Sequence, residues 1–166
     1  MRKYLRIVSL AVALIVAAEL SQGRDRDVWL HNWTASAAFF VDVGSLENFS
    51  KSTRQGWAHG YGVTGGTLAN PGVYLDSNTL QQWDCAKHRS RIISGIVYLP
   101  SGEVKTSFDQ ENSEWSPVAP GTIGASALEL VCANPADRSA YGIRVAVSDM
   151  GAWAKTVIAR ARANHP

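Results

Sequence analysis

Cysteine is scarce in this chain: Cys85 and Cys132 are the only two. A structural zinc site needs about four ligands, commonly paired as C-x-x-C or H-x-x-x-H, and neither pairing occurs among two cysteines and four histidines. The G-x-S-x-G nucleophile turn of many hydrolases is absent as well. There is no internal repeat, no heptad pattern and no low-complexity tract. Apolar runs are short too. A transmembrane helix needs ~20 apolar residues, and the longest run, Ile7 to Ala18, has 12 and stops at Glu19. Charge of one sign is also lacking, with 16 basic against 14 acidic side chains.

The start of the chain has its own pattern. Arg2, Lys3 and Arg6 precede the apolar run, and Val16-Ala17-Ala18 ends it on small residues. That pattern is a secretory signal over residues 1–18, with a transmembrane anchor as the rival reading. Cleavage removes three basic side chains, leaving 13 against 14 and a formal charge of −1. A near-neutral domain has no general electrostatic attraction to nucleic acid or anionic lipid. No cysteine follows the run to carry a lipid anchor, so the chain is expected to be exported: periplasmic, secreted or at the cell surface, with no stable membrane span after cleavage. About 148 residues remain after that removal, enough for one domain. Six tryptophans, four phenylalanines and the four tyrosines that follow Tyr4 are material for its core.

Residues 19–27 are polar and read as a flexible lead. "VWLHNW" and "AAFFVDV" then have the aromatic and β-branched character of strands. "GSLENFSKSTRQG" reads as a connection, "WAHGY" as a short strand, and "GVTGGTLANPGVYLDS" as a loop with one brief extended piece. "TLQQWDCA", "SRIISGIVYLP" and "EVKTSFD" follow as strands. Between Thr122, a suitable N-cap, and Asn134-Pro135, Ile123, Ala127, Leu130 and Val131 recur on one helical face. Leu128, Leu130 and Cys132 also alternate, so strand stays open for residues 122–133, with helix favoured. "YGIRVAV" is extended, and Ser148 caps a last helix with a stripe of Met150, Trp153, Val157, Ile158 and Ala161. Arg160 and Arg162 suit the C-terminal end of its dipole. Strands followed by helices make the fold α+β with an antiparallel sheet.

Two local patterns invite chemistry. "GYGVTG", Gly60 to Gly65, matches a dinucleotide-binding fingerprint in letters, but Pro71 and its neighbours leave no helix to follow it. No cofactor is expected from it. In "WDCAKHRSR", Cys85 lies beside Lys87, His88, Arg89 and Arg91. It has three readings: a thiolate nucleophile paired with His88, a metal ligand, or half of a disulfide, the usual state of paired cysteines in an exported chain. No third residue is marked out to orient a Cys85–His88 pair, and Lys87-His88-Arg89 suits an exposed polar turn.

A resemblance bears on that choice. "FFVDVGSL", "GWAHGY", "DCAKHRSRIISGIVYLPSGEVKTS" and "EWSPVAPGTIGASALELVC" together resemble the surface-adhesin protein E-like domain of Gram-negative bacteria, over roughly residues 33–133. The positions that carry it are Asp42, Asp84, Arg91, Tyr98, Gly102, Trp115, Pro120 and Gly121, with both cysteines. The resemblance implies an antiparallel sheet of about six strands with a packed helix, here followed by a C-terminal helix. It also implies a disulfide from Cys85 on a strand to Cys132 on the helix. The expected division is a signal at 1–18, the lead at 19–27, the adhesin-like domain at 28–133 and a C-terminal extension at 134–166. The expected function is non-enzymatic binding of a protein: a host extracellular matrix or plasma protein, or an envelope protein. A homodimer is compatible with this, and neither a cofactor, a metal nor nucleic acid is expected. The alternatives are a small periplasmic enzyme using Cys85 and His88, and a structural envelope protein.

Overall fold

The computed structural model describes residues 26–64, 73–110 and 112–164. The signal at 1–18, nearly all of the lead, His165 and the glycine-rich stretch 65–72 lie outside the described residues. The strands are β1 (Val28–Trp33), β2 (Ala37–Asp42), β3 (Glu47–Asn48), β4 (Thr53–Thr64), β5 (Val73–Asp84), β6 (Arg89–Tyr98), β7 (Val104–Asp109), β8 (Ser116–Pro117) and β9 (Ile143–Val145). Two α-helices, α1 (Ile123–Cys132) and α2 (Met150–Asn164), complete the frame. All nine strands join one sheet in the order β7-β6-β5-β4-β2-β1-β9, with β3 on β4 and β8 on β6. Every pairing is antiparallel. The fold is the expected α+β class. Its six long strands meet the expected number, and three short ones of two or three residues are added.

Alternation along β1 and β2 divides the core. Val28, Leu30, Ala38 and Phe40 point to one face of the sheet, where Met150, Ala154, Val157 and Ile158 of α2 bury against them. Val41 and Trp83 point to the other, beneath Ala127, Leu128, Leu130 and Val131 of α1. The α1 segment is helix because Thr122 caps it: its hydroxyl accepts from the Ala125 amide at 3.2 Å. Gly121, at φ +75°, turns the chain into that cap.

The last helix differs in detail from its periodicity. Residues 147–149 form a 3-10 turn ahead of it, and the Ser148 hydroxyl bonds Asp149 instead of capping. Ala154 occupies the core position next to Val157 and Ile158, while Trp153 lies on the flank with 37% exposed. Arg162 donates to the Ala35 carbonyl at 2.7 Å, tying the helix end to the β1–β2 turn. Residues beyond 134 are thus part of the sheet and core, through β9 on β1 and α2 on β1 and β2.

The reading of 62–77 as a loop is overturned on the described residues. Thr53–Thr64 and Val73–Asp84 pair continuously along twelve residues each. Glycine inside a strand is unfavourable on its own, yet here it serves close approach. A Cβ on Gly60 would stand 2.8 Å from the Ser77 hydroxyl, and one on Gly95 would stand 2.5 Å from the Phe108 ring.

The helices pack on β1 and β2. The strands β6 and β7 stand out from them, whereas β5 still reaches both cores through Trp83 and Tyr74. In β6 only Gly95 is fully buried, and every residue of β7 is exposed.

Candidate functional site

Three places bring the chemically distinctive residues together. The first is the corner around "WDCAKHRSR". Cys85 opens the tight turn after β5 and is bonded to Cys132, the last residue of α1, with their Cα atoms 5.7 Å apart. Asp84 is 4% exposed and organises the turn. Its carboxylate accepts from the Ser52 hydroxyl at 3.2 Å, the Lys87 amide at 3.3 Å and Arg89 Nε at 3.1 Å. Burial works to raise its pKa, but the Arg89 guanidinium and these donors outweigh it and hold the group below the usual carboxylate range. Arg89 and Arg91 project from the same side of β6, each 4.7 Å from the Trp115 ring centroid. Arg91 also donates to Gln82 Oε1 at 2.9 Å and to the Ser113 carbonyl at 3.2 Å. Lys87 and His88 are exposed as expected, but Arg89 is half-buried and engaged. The sequence reading missed this because i, i+2 residues on a strand share a face only once the strand is placed. With its sulfur bonded, Cys85 has no thiolate to offer a nucleophilic mechanism.

The second place is a pair of buried histidines on opposite faces of the sheet. The Ser126 hydroxyl donates to the Ile123 carbonyl, so it accepts from His31 Nδ1 at 3.0 Å and from Asn32 Nδ2 at 3.1 Å. Burial pushes the His31 pKa down to about 4. His59 Nδ1 donates to Asn78 Oδ1, and its Nε2 is buried with no partner. Burial lowers its pKa too, against the raising effect of the Asn78 hydrogen bond and the nearby carboxylates of Asp76 and Asp42. A neutral imidazole buried this way is a structural group. Neither is placed with Cys85 or His88.

The third is an open cleft of about 460 Å³ between the β4–β6 end of the sheet and α2. Register sets its floor: Tyr61 lies opposite Asp76, and Asp76 opposite Tyr98. Tyr74 and Asn78 extend the same face of β5, and Lys155 of α2 stands over the Tyr74 ring at 5.6 Å. Burial raises the Asp76 pKa above the usual carboxylate value, in spite of nearby His59 and hydrogen bonds from Tyr61 and the Ser77 amide. Sequence reading missed this cleft because it assigned 73–77 to a loop. The alternation of Tyr74, Asp76 and Asn78 was the available signal.

The motif positions are thereby divided. Asp84, Arg91 and Trp115 meet at the disulfide corner, with Pro120 and Gly121 leading into α1 nearby. Tyr98 and Gly102 line the cleft, Gly102 at φ +86° in the β6–β7 turn. Asp42, 5% exposed at the end of β2, stands apart from both.

A sequence model of the family described as surface-adhesin protein E matches residues 29–133. No curated protein matches the chain. Among solved structures it is similar to the crystal structure of protein E from non-typeable Haemophilus influenzae, with 14% identity over 83% of this chain and 89% of that one, at a TM-score of 0.40.

Proposed function

The chain belongs to the surface-adhesin protein E family, and from that membership we propose an exported, non-enzymatic domain that binds a host extracellular matrix or plasma protein. The observation that carries the proposal is the half-covered sheet. A stable antiparallel sheet commonly buries at least one face, but β6, β7 and the outward positions of β4 leave apolar groups accessible on both faces. On the α2 side Trp57 is 37% exposed, and on the α1 side Ile92 is 39% and Phe108 36% exposed. Exposed apolar groups on a sheet face mark a place where a partner can dock, and tryptophan and other aromatics dominate binding hot spots. The near-neutral charge expected after signal removal fits contact by shape and aromatics.

Export rests on the signal reading of residues 1–18, and the family's surface role agrees with it. No helix among the described residues is long and apolar enough to cross a membrane. Mass spectrometry of protein taken from its native envelope should find an N-terminus near Glu19.

The binding test is a capture assay with the exported protein against purified matrix and plasma proteins and, in parallel, envelope extract. Trp57→Ser and Phe108→Ser probe one sheet face each. Capture of a matrix or plasma protein, weakened about 30-fold by one of the two, is expected of a hot spot worth ~2 kcal/mol. Capture from the envelope extract alone would make the domain an envelope component instead. Undiminished binding by both variants would remove the sheet from the interface.

A further inference from the structure

We propose that the cleft between β4–β6 and α2 binds a small zwitterion, with an ammonium head against Asp76 among the tyrosine rings and an anionic group against Lys155. This site is independent of the adhesive surface proposed above and would exist whether or not that surface binds protein.

Residues directly opposite in neighbouring antiparallel strands have Cβ atoms roughly 5 Å apart on one face. Tyr61, Asp76 and Tyr98 form such a row across β4, β5 and β6. Tyr74, two residues along β5, brings a third ring to the same carboxylate. Three tyrosines lining one cleft with one acid, Tyr61 also donating its hydroxyl to it, supply the aromatic surface and the negative charge that an alkylated or primary ammonium group needs. That Lys155 Nζ already lies over Tyr74 shows one ring engaging a cation.

Charge then decides the ligand class. One Asp76 oxygen, Oδ1, is buried with no hydrogen-bond partner. Two ion pairs form among the described residues, Asp84–Arg89 and Asp27–Arg144, and neither Asp76 nor Lys155 is in one. The next rung carries His59, which burial keeps neutral, and Asn78, so the cleft holds one negative and one positive charge. A simple cation would meet Asp76 but be repelled by Lys155, and a simple anion would face the reverse. A molecule carrying both charges complements both walls. Gly151 lines the helix wall of the cleft, where an added Cβ would stand 3.6 Å from the Tyr61 ring.

Glycine betaine and phosphocholine share this chemistry, one with a carboxylate and one with a phosphate. The test is an NMR titration of the exported protein with each, alongside choline, inorganic phosphate and a neutral disaccharide. Both zwitterions should shift the amides of Gly102 and Gly151 and bind at least about tenfold more tightly than choline or phosphate. Asp76→Asn should erase the advantage over phosphate, and Lys155→Met the advantage over choline. Lys155 is exposed on α2, so its variant carries the test should Asp76→Asn unfold the protein. Cosedimentation with phosphatidylcholine vesicles would assign the source to a lipid headgroup. Binding of free phosphocholine without cosedimentation would assign a soluble or glycan-borne one. No shift with either zwitterion, equal binding of the disaccharide, or unchanged selectivity in both variants would overturn the proposal.

Discussion

Cys132 ends α1 and is bonded to Cys85, the first residue after β5, so a helix on one sheet face is pinned to the turn joining two central strands. The bond closes a loop that contains β6, β7 and β8, with 47 positions separating the two cysteines. Loop-closure entropy removed from the unfolded chain is on the order of 4 kcal/mol for such a loop, in the chain-entropy model. That compares with a net stability of roughly 5–15 kcal/mol for a small domain. Cys85→Ser and Cys132→Ser should each lower the melting temperature markedly, and the double variant should match the singles. Two reactive thiols in exported, unreduced protein would contradict this.

The Trp115 corner depends on both Arg91 and Arg89. Both arginines contact the ring, and each also satisfies a buried acceptor: Arg91 the Oε1 of Gln82, which is 2% exposed, and Arg89 the carboxylate of Asp84, which is 4% exposed. Losing a partner of a buried polar group costs about 1–3 kcal/mol, and a cation–π contact adds roughly 0.5–2. Arg91→Ala and Arg89→Ala should therefore each lower the urea midpoint, by the equivalent of about 2 kcal/mol or more relative to wild type, with Arg89→Ala at least as costly because the group it strands is charged. Arg91→Lys should recover little, because an ammonium cannot reproduce the planar fork. An unchanged midpoint in Arg91→Ala would show that Gln82 finds other partners, and one in Arg89→Ala that Asp84 does.

Stability should fall on acidification through the range where histidine ordinarily titrates. The unfolded chain takes up a proton on His31 near pH 6.5, whereas the folded protein does so only at about 4. The unfolded state then binds more protons in between, so this contribution is full above 6.5 and lost as pH falls towards 4. Its size is at most on the order of 3 kcal/mol. His59 acts in the same direction, and Asp84 extends the loss below the ordinary aspartate value. Asp76, whose pKa is raised, acts oppositely, as its contribution is lost when pH rises above that ordinary value. Denaturant titrations from pH 7 to 4 should show the decline, and His31→Gln should flatten it. A His31 resonance titrating near 6.5 in the folded protein would rule this out.

The parts legible in the sequence were those with one dominant local signal. Thr122 followed by Ile123, Ala127, Leu130 and Val131 led to a capped helix, and the aromatic runs of β1 and β2 led to core strands. Gly60 misled because a turn and a close approach demand the same residue, and only the position of Ser77 tells them apart. Periodicity marked Trp153 for the core, but Ala154 fits closer against β1 and β2. The tyrosine cleft is assembled by register between β4, β5 and β6 and by docking of α2, neither of which a single segment encodes. The cysteine pairing came from family resemblance, since the residues around Cys85 also suit a reactive thiol.

The central claim is that the uncovered half of the sheet is the binding surface. Hydroxyl-radical footprinting of the exported protein, free and saturated with the protein it captures, tests this directly. The account predicts protection of Trp57, Ile92, Val104 or Phe108 on β4, β6 and β7, with the outer surfaces of α1 and α2 unchanged. Protection confined to Ile123, Tyr141 and Trp153, on or beside the helices, would contradict it.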